Sequence, residues 1–295
     1  MPAKKTAKTV TPTAGTLMMI GGAEDKVNDR AVLKTLVSHA GKGRLVVATL
    51  ASEEAAYQWS TYSKVFKELG LKDVQHFAAD TREDASKPGA LKLFEGATAV
   101  FFTGGDQLKI TTKLGGTDAF DRIQEIYTKE KGLIAGTSAG AAAMGQMMLM
   151  SAQAEGSEKH KVRRAFIMAR GLGLITDMVI DQHFAQRARI ERLLGAIAEN
   201  PAVLGVGIDE DTAIVHRSEC FEVIGSGAVY VADGSSITYT NASEPEQDPT
   251  LCLFNVNLHV LCARAKFNVT TREPERPAMV TAAKSASAVS DSANR

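Results

Sequence analysis

Cysteine is scarce in this chain of 295 residues: Cys220, Cys252 and Cys262 are the only three. An odd count without metal-ligand spacing gives neither a disulfide framework nor a zinc site, and it predicts buried free thiols in a reducing compartment. An excess of one charge is also missing. Lys plus Arg and Asp plus Glu each number 34, the formal net charge is zero and no basic stripe runs along the chain, which argues against a nucleic-acid partner. No stretch reaches the roughly 18 consecutive apolar residues of a membrane span, and the basic opening "MPAKKTAKTVTPTAGT" has no apolar core of the kind a secretion signal requires. The sequence therefore predicts a cytoplasmic protein with no membrane partner. A dinucleotide fingerprint is absent as well: "GGAEDK" (21–26) lacks the G-x-G-x-x-G spacing, and Glu24 and Asp25 would repel a pyrophosphate. No nucleotide cofactor is expected.

What the chain does have is apolar content, 44% of its residues, enough for a large core. The runs "TLMMIGG" (16–22), "RLVVATL" (44–50), "TAVFFTGG" (98–105) and "KGLIAGTS" (131–138) read as buried strands. Between them, "AYQWSTYSKVFKELGL" (56–71) carries Trp59, Tyr62, Val65, Phe66 and Leu69 at helical spacing. Strand and helix in alternation predict an α/β fold with a mostly parallel central sheet and helices on both faces. In the second half, "AVLGVGIDEDTAIVHRS", "CFEVIGSGAVYVAD", "SITYTN" and "LHVLCA" lie close together around Gly-rich turns and predict hairpins that extend the sheet. Small and polar ends predict a disordered extension over 1–14, one catalytic domain over 15–277 and a disordered tail over 278–295.

In such a sheet, sites collect where strands end at their carboxyl side. Three Gly-rich turns fall there, and "GTSAG" (136–140) has the Gly-x-Ser-x-Gly form of a nucleophile elbow. Small neighbours allow the strained turn that lifts the Ser138 hydroxyl above the sheet, and the following helix aims backbone N–H groups at an oxyanion. The Gly104-Gly105 turn of "FFTGGDQ" offers a second donor.

A serine nucleophile needs a base. His39 and His76 fall in or near surface elements, His160 in the charged "GSEKHKVRR", and His216 and His259 inside predicted strands. His183 instead ends the apolar run "LITDMVIDQHF" at a strand-to-helix junction, on the same side as Ser138. The helix read after it, "AQRARIERLL", carries Arg187, Arg189 and Arg192 near its N-terminus. The helix dipole disfavours cations there, which points to recognition of a carboxylate. Asp177, Asp181, Asp209, Glu210 and Asp211 are all candidates for the acid that orients His183.

Six motifs in order, "GGAEDK", "FTGGDQ", "GTSAGA", "DQHFAQRARIERL", "GIDEDTA" and "FNVTTREPERP", make residues 15–275 resemble the cyanophycinases. These are serine hydrolases related to the α-aspartyl dipeptidase peptidase E. The resemblance implies a metal-free, cofactor-free α/β enzyme, commonly a homodimer. It would act as a serine-type exopeptidase on cyanophycin, a poly-aspartate with arginine on its β-carboxyls, and release β-Asp-Arg. It further implies Ser138 as nucleophile, His183 as base, Glu210 as the third member, and Gly105 and Ala139 as oxyanion donors. Around the substrate it places Gln107, Asp181, Gln182, Arg187, Arg189 and Arg192. The alternative is a dipeptidase of the peptidase E type, which would retain Ser138 and His183.

Overall fold

The computed structural model describes residues 14–151, 166–244 and 250–277. The expected extension up to residue 13, the tail from 278, and His160 with most of the charged stretch 151–169 lie outside these residues.

In chain order the first half runs β1 (Thr16–Ile20), α1 (Ala31–Ala40), β2 (Arg44–Ala48), α2 (Ala55–Glu68), β3 (Val74–Phe77), α3 (Arg82–Ala85) and α4 (Pro88–Leu93). It continues with β4 (Ala97–Phe102), α5 (Gln107–Leu114), α6 (Asp118–Thr128), β5 (Leu133–Thr137) and α7 (Ala139–Ala143). The second half holds β6 (Met147–Ser151), β7 (Phe166–Arg170), β8 (Met178–Gln182), a 3-10 turn (Ala185–Arg187), α8 (Ile190–Glu199) and β9 (Leu204–Ile208). After these come β10 (Thr212–Arg217), β11 (Cys220–Gly225), β12 (Val229–Asp233), β13 (Tyr239–Thr240), β14 (Leu253–Phe254), β15 (Asn257–Leu261), β16 (Lys266–Asn268) and β17 (Glu273–Glu275).

The four apolar runs read as strands are β1, β2, β4 and β5, nearly all of their residues buried. Together with β3 they form the parallel part of a nine-stranded sheet ordered β17-β16-β11-β10-β1-β5-β4-β2-β3, with β10, β11, β16 and β17 added antiparallel. One face packs Met18, Ile20, Leu45, Val47 and Phe101 against Leu33 and Leu36 of α1 and Tyr62, Val65 and Phe66 of α2. Helix α2 contacts the sheet because its apolar residues recur at the 3.6-residue period. Opposite, Leu17, Met19, Val46, Val100 and Phe102 meet Ile110, Leu114, Ile123, Ile126 and Ala141 of α5, α6 and α7.

The C-terminal half holds the expected hairpins, but not all of its strands extend the main sheet. Strands β10 and β11 do extend the main sheet, but β9 and β12 belong to a second sheet ordered β15-β12-β9-β8. The chain therefore crosses between sheets at residues 209–211 and again at 226–228. Sequence periodicity leaves this open, because β9 is buried on both faces: Val206 and Ile208 join the main core, while α8 covers the other side with Leu193, Ala196 and Ile197. Glycines make that close cover possible. A Cβ on Gly207 would lie 2.4 Å from the Phe184 ring, and one on Gly205 2.8 Å from Ile197.

The cysteines also depart from expectation. Cys220 and Cys252 are half-buried and Cys262, just past edge strand β15, is exposed. Cys220 opens β11, Cys252 precedes β14 and Cys262 follows β15.

Gly207→Ala is expected to destabilise the protein by about 1–3 kcal/mol, the usual effect of forcing an extra carbon into a packed core. Urea unfolding of the variant should show a lower midpoint at unchanged slope.

Candidate active site

The two sheets meet with the carboxyl ends of β1, β4 and β5 facing those of β8 and β9. At the end of β5 the chain turns so tightly that a Cβ on Gly136 would lie 2.5 Å from Gly140, while one on Gly140 would lie 2.4 Å from the Phe102 carbonyl. Between these glycines Ser138 adopts φ 51° and ψ −114°, a backbone conformation L-residues rarely take. Its amide donates to the Ile20 carbonyl at 2.9 Å.

His183 follows β8, also at positive φ (50°), and its amide donates to the Gly21 carbonyl at 2.8 Å. Its Nε2 lies 2.8 Å from Ser138 Oγ, and its Nδ1 lies 2.6 Å from Glu210 Oε1. A carboxylate only accepts, so Nδ1 carries the proton donated to Glu210, and Nε2 is the nitrogen left to accept from the Ser138 hydroxyl. Gly22, at φ 102°, lies beside the imidazole: a Cβ there would come within 2.3 Å of the ring.

Of the five acids left open by the sequence, geometry joins Glu210 to His183. Asp209, buried, accepts the amides of Ala185 and Ala228 at 2.9 and 3.1 Å and braces the crossing between sheets. Asp211 accepts the Asp25 amide and the Ser226 hydroxyl at 2.8 and 2.7 Å. Asp177 is exposed at the far end of β8, next to Thr176. Asp181 faces arginines instead.

Gly104 runs alongside the serine, 3.4 Å from Ser138 Cβ when given a side chain. Next to it, Gly105 sits at φ 140°, where a Cβ would lie 2.2 Å from the Ala51 carbonyl. Ala139 is the first residue of α7, so its N–H has no acceptor within the helix. Gln107 opens α5 and its side-chain amide donates to the Leu149 carbonyl at 2.7 Å, which ties β6 to the site.

The arginines do not share one helix. Ala188 at φ 48° breaks the chain between the 3-10 turn and α8, so Arg187 is separated from Arg189 and Arg192, which converge on Asp181. Arg192 donates through Nε to Asp181 Oδ2 at 2.9 Å and through a terminal nitrogen to Oδ1. Arg189 donates to Asp181 at 3.0 Å and to the Gln182 side-chain oxygen at 2.8 Å. Asp181 is fully buried, and these contacts neutralise it. Arg187 is exposed and makes no ion pair among the described residues.

Burial lowers the His183 pKa from its ordinary value; the Glu210 hydrogen bond opposes that shift, and the charges of Arg187 and Arg189 add to it. The imidazole is therefore neutral at pH 7, the form that accepts a proton. Among the described residues no cluster of three metal-ligating side chains occurs, and no helix is long and apolar enough to cross a membrane.

Glu24 is buried and engaged by the chain's own Tyr62, Thr137 and Lys26, so it is closed to a phosphate and to a substrate guanidinium alike. A Gly-Gly pair ending a central strand is the signal that this turn packs against something.

An elbow serine, an imidazole and a carboxylate in hydrogen-bonded series on an α/β scaffold form the arrangement of a serine hydrolase. The chain matches Peptidase family S51 over residues 17–224. It is 37% identical over 262 residues to a cyanophycinase of Geminocystis herdmanii, covering 88% of this chain and 95% of that one. A cyanophycinase of Trichormus variabilis is 36% identical over 268 residues, 90% of this chain and 89% of that one. In fold, the chain is similar to a peptidase from an acI-B1 Actinobacterium, with TM-score 0.61 and 23% identity, covering 76% of this chain and 93% of the other. The protein belongs to peptidase family S51 and is a serine-type peptidase.

The expected NMR titration of the His183 ring has its midpoint below about 6.5. Arg187→Ala should raise that midpoint by removing a repelling charge, and Glu210→Gln should lower it by weakening the bond that favours imidazolium. A midpoint that falls in the first variant or rises in the second would contradict these assignments of charge.

Proposed function

We propose that the protein hydrolyses cyanophycin to β-Asp-Arg, with Ser138 as nucleophile, His183 as general base and Glu210 as the group that orients and stabilises the imidazolium. The observation that carries the chemistry is the 2.8 and 2.6 Å hydrogen-bond series from Ser138 through His183 to Glu210. The near-complete match to cyanophycinases supports the substrate.

In this reading Ser138 Oγ attacks an aspartyl backbone carbonyl while His183 Nε2 takes its proton. Negative charge develops on the carbonyl oxygen and is held by the N–H groups of Gly105 and Ala139, the latter reinforced by the α7 terminus. His183 returns the proton to the leaving amine as the carbon–nitrogen bond breaks. A water, deprotonated by the same imidazole, then releases the acyl group from Ser138.

Recognition divides among the polar residues. Arg187, exposed and close enough to lower the His183 pKa, takes the α-carboxylate of a substrate arginine. Asp181, Gln182, Arg189 and Arg192 form the wall behind it, with Gln107 closing the side against β6. The protein works in the cytoplasm as a homodimer. Edge strand β15, where Leu258 and Val260 are 48% and 60% exposed, is the surface a second copy covers.

Mass spectrometry after incubation with cyanophycin should show β-Asp-Arg from wild type and at least about a thousandfold less from Ser138→Ala. Arg187→Ala should lose about ten- to a hundredfold in kcat/KM, the worth of one charge-assisted contact. Cleavage of Asp-X dipeptides in place of the polymer would establish the peptidase E type of specificity instead. Sedimentation should give twice the mass of the chain, and Val260→Lys should shift it to the monomer; a monomeric wild type would remove the dimer.

A further inference from the structure

Glu24 is 2% exposed and takes no part in the chemistry above. Its Oε1 accepts the Tyr62 hydroxyl from α2 and lies 3.2 Å from Lys26 Nζ, while its Oε2 accepts the Thr137 hydroxyl at 2.6 Å. Burial and the Glu24 charge push the Tyr62 phenol well above its ordinary pKa, which keeps it a donor. A carboxylate surrounded by three donors is acceptor-only on both oxygens. Such a buried charge is expensive unless paired, and here its partners come from the loop after β1, from α2 and from the last residue of β5.

That last residue is the one before Ser138. Thr137 is itself buried, its backbone pairs with Ile20, and its carbonyl lies 3.7 Å from where a Gly104 side chain would begin. The peptide joining Thr137 to Ser138 therefore sets two things together: the strained φ of the serine and the spacing between elbow and Gly104-Gly105 turn. Strain of this kind persists only when the surroundings over-determine it.

We propose that Glu24 and Thr137 are positioning residues for the nucleophile: their hydrogen bond fixes the Thr137–Ser138 peptide, and with it the direction of Ser138 Oγ toward His183. The inference rests on Ser138 being the nucleophile but not on the identity of the substrate. Displacement of a reacting atom by about 1 Å is enough to lose about a hundredfold in rate, so a modest loosening of the elbow has a large readout.

The test measures the rate at which a fluorophosphonate labels Ser138, alongside kcat and KM for peptide hydrolysis, in Thr137→Val, Thr137→Ser and Glu24→Gln. Thr137→Val keeps the shape and removes the hydroxyl; labelling rate and kcat should fall together by about ten- to a hundredfold, with KM within about threefold. Thr137→Ser restores the hydroxyl and should restore the rate, and Glu24→Gln should resemble Thr137→Val. If wild type is not labelled at Ser138, the reading of that serine as nucleophile fails, and the proposal with it. A labelled wild type and an equally fast Thr137→Val variant overturn the proposal alone. So does a Thr137→Ser variant as slow as Thr137→Val, which would assign the effect to packing. Failure of both Thr137→Val and Glu24→Gln to fold would assign the bond to the fold and overturn it as well.

Discussion

Three consecutive carbonyls at the end of β1 hold the three arms of the site: Ile20 accepts the amide of Ser138, Gly21 that of His183 and Gly22 that of Asp211, all at 2.8–2.9 Å. Strand β1 lies in the middle of the nine-stranded sheet, paired on both sides, with parallel β5 and antiparallel β10. The arms reach these carbonyls from different places: β5, the end of β8, and the crossing from β9 to β10. At Gly21 and Gly22 no side chain larger than hydrogen fits, because a Cβ on Gly21 would lie 2.0 Å from the Asp209 carbonyl and one on Gly22 would strike the imidazole. This shared anchor brings Ser138, His183 and Glu210 within hydrogen-bonding reach of one another in series.

Part of the backbone strain in the described residues lies around this anchor. Ala23, Ser138, His183, Ala188 and Asp211 all take φ between 47° and 51°, conformations that each oppose folding by about 1–3 kcal/mol. Ser138, His183 and Asp211 are the residues whose amides the three carbonyls accept, and Ala23 directly follows the last of those carbonyls. Ala188 separates the exposed Arg187 from Arg189 and the buried Arg192. Hydrogen bonds from a central strand offset the strain at the points where side chains must be aimed.

Ser138 and His183 were legible in the sequence because each ends an apolar run beside small or polar residues, a local signal. From the residues alone Glu210 was one of several acids, and only the family resemblance singled it out. What distinguishes it is the 2.6 Å approach to Nδ1, which depends on how β8 and β9 pair, and pairing partners have no local trace. The second sheet was missed for the same reason: β9 and β10 have the spacing of a hairpin, and only Gly205 and Gly207, packed under Ile197 and Phe184, mark β9 as a strand covered by a helix. The arginines misled by periodicity. A continuous helical pattern through "AQRARIERLL" does not reveal the left-handed residue at Ala188.

Ser138 and His183 belong to different sheets, and this makes their contact a gauge of how those sheets are registered. Helices and strands are each stabilised within themselves, but the contact exists only while the apolar layer between the sheets stays close-packed. An expanded state that keeps its secondary structure and loses side-chain interdigitation would separate oxygen from nitrogen with every local element intact. Hydrolytic competence in this chain is thus a property of the finished tertiary packing, and a partly folded molecule carries the whole catalytic sequence in an inert form.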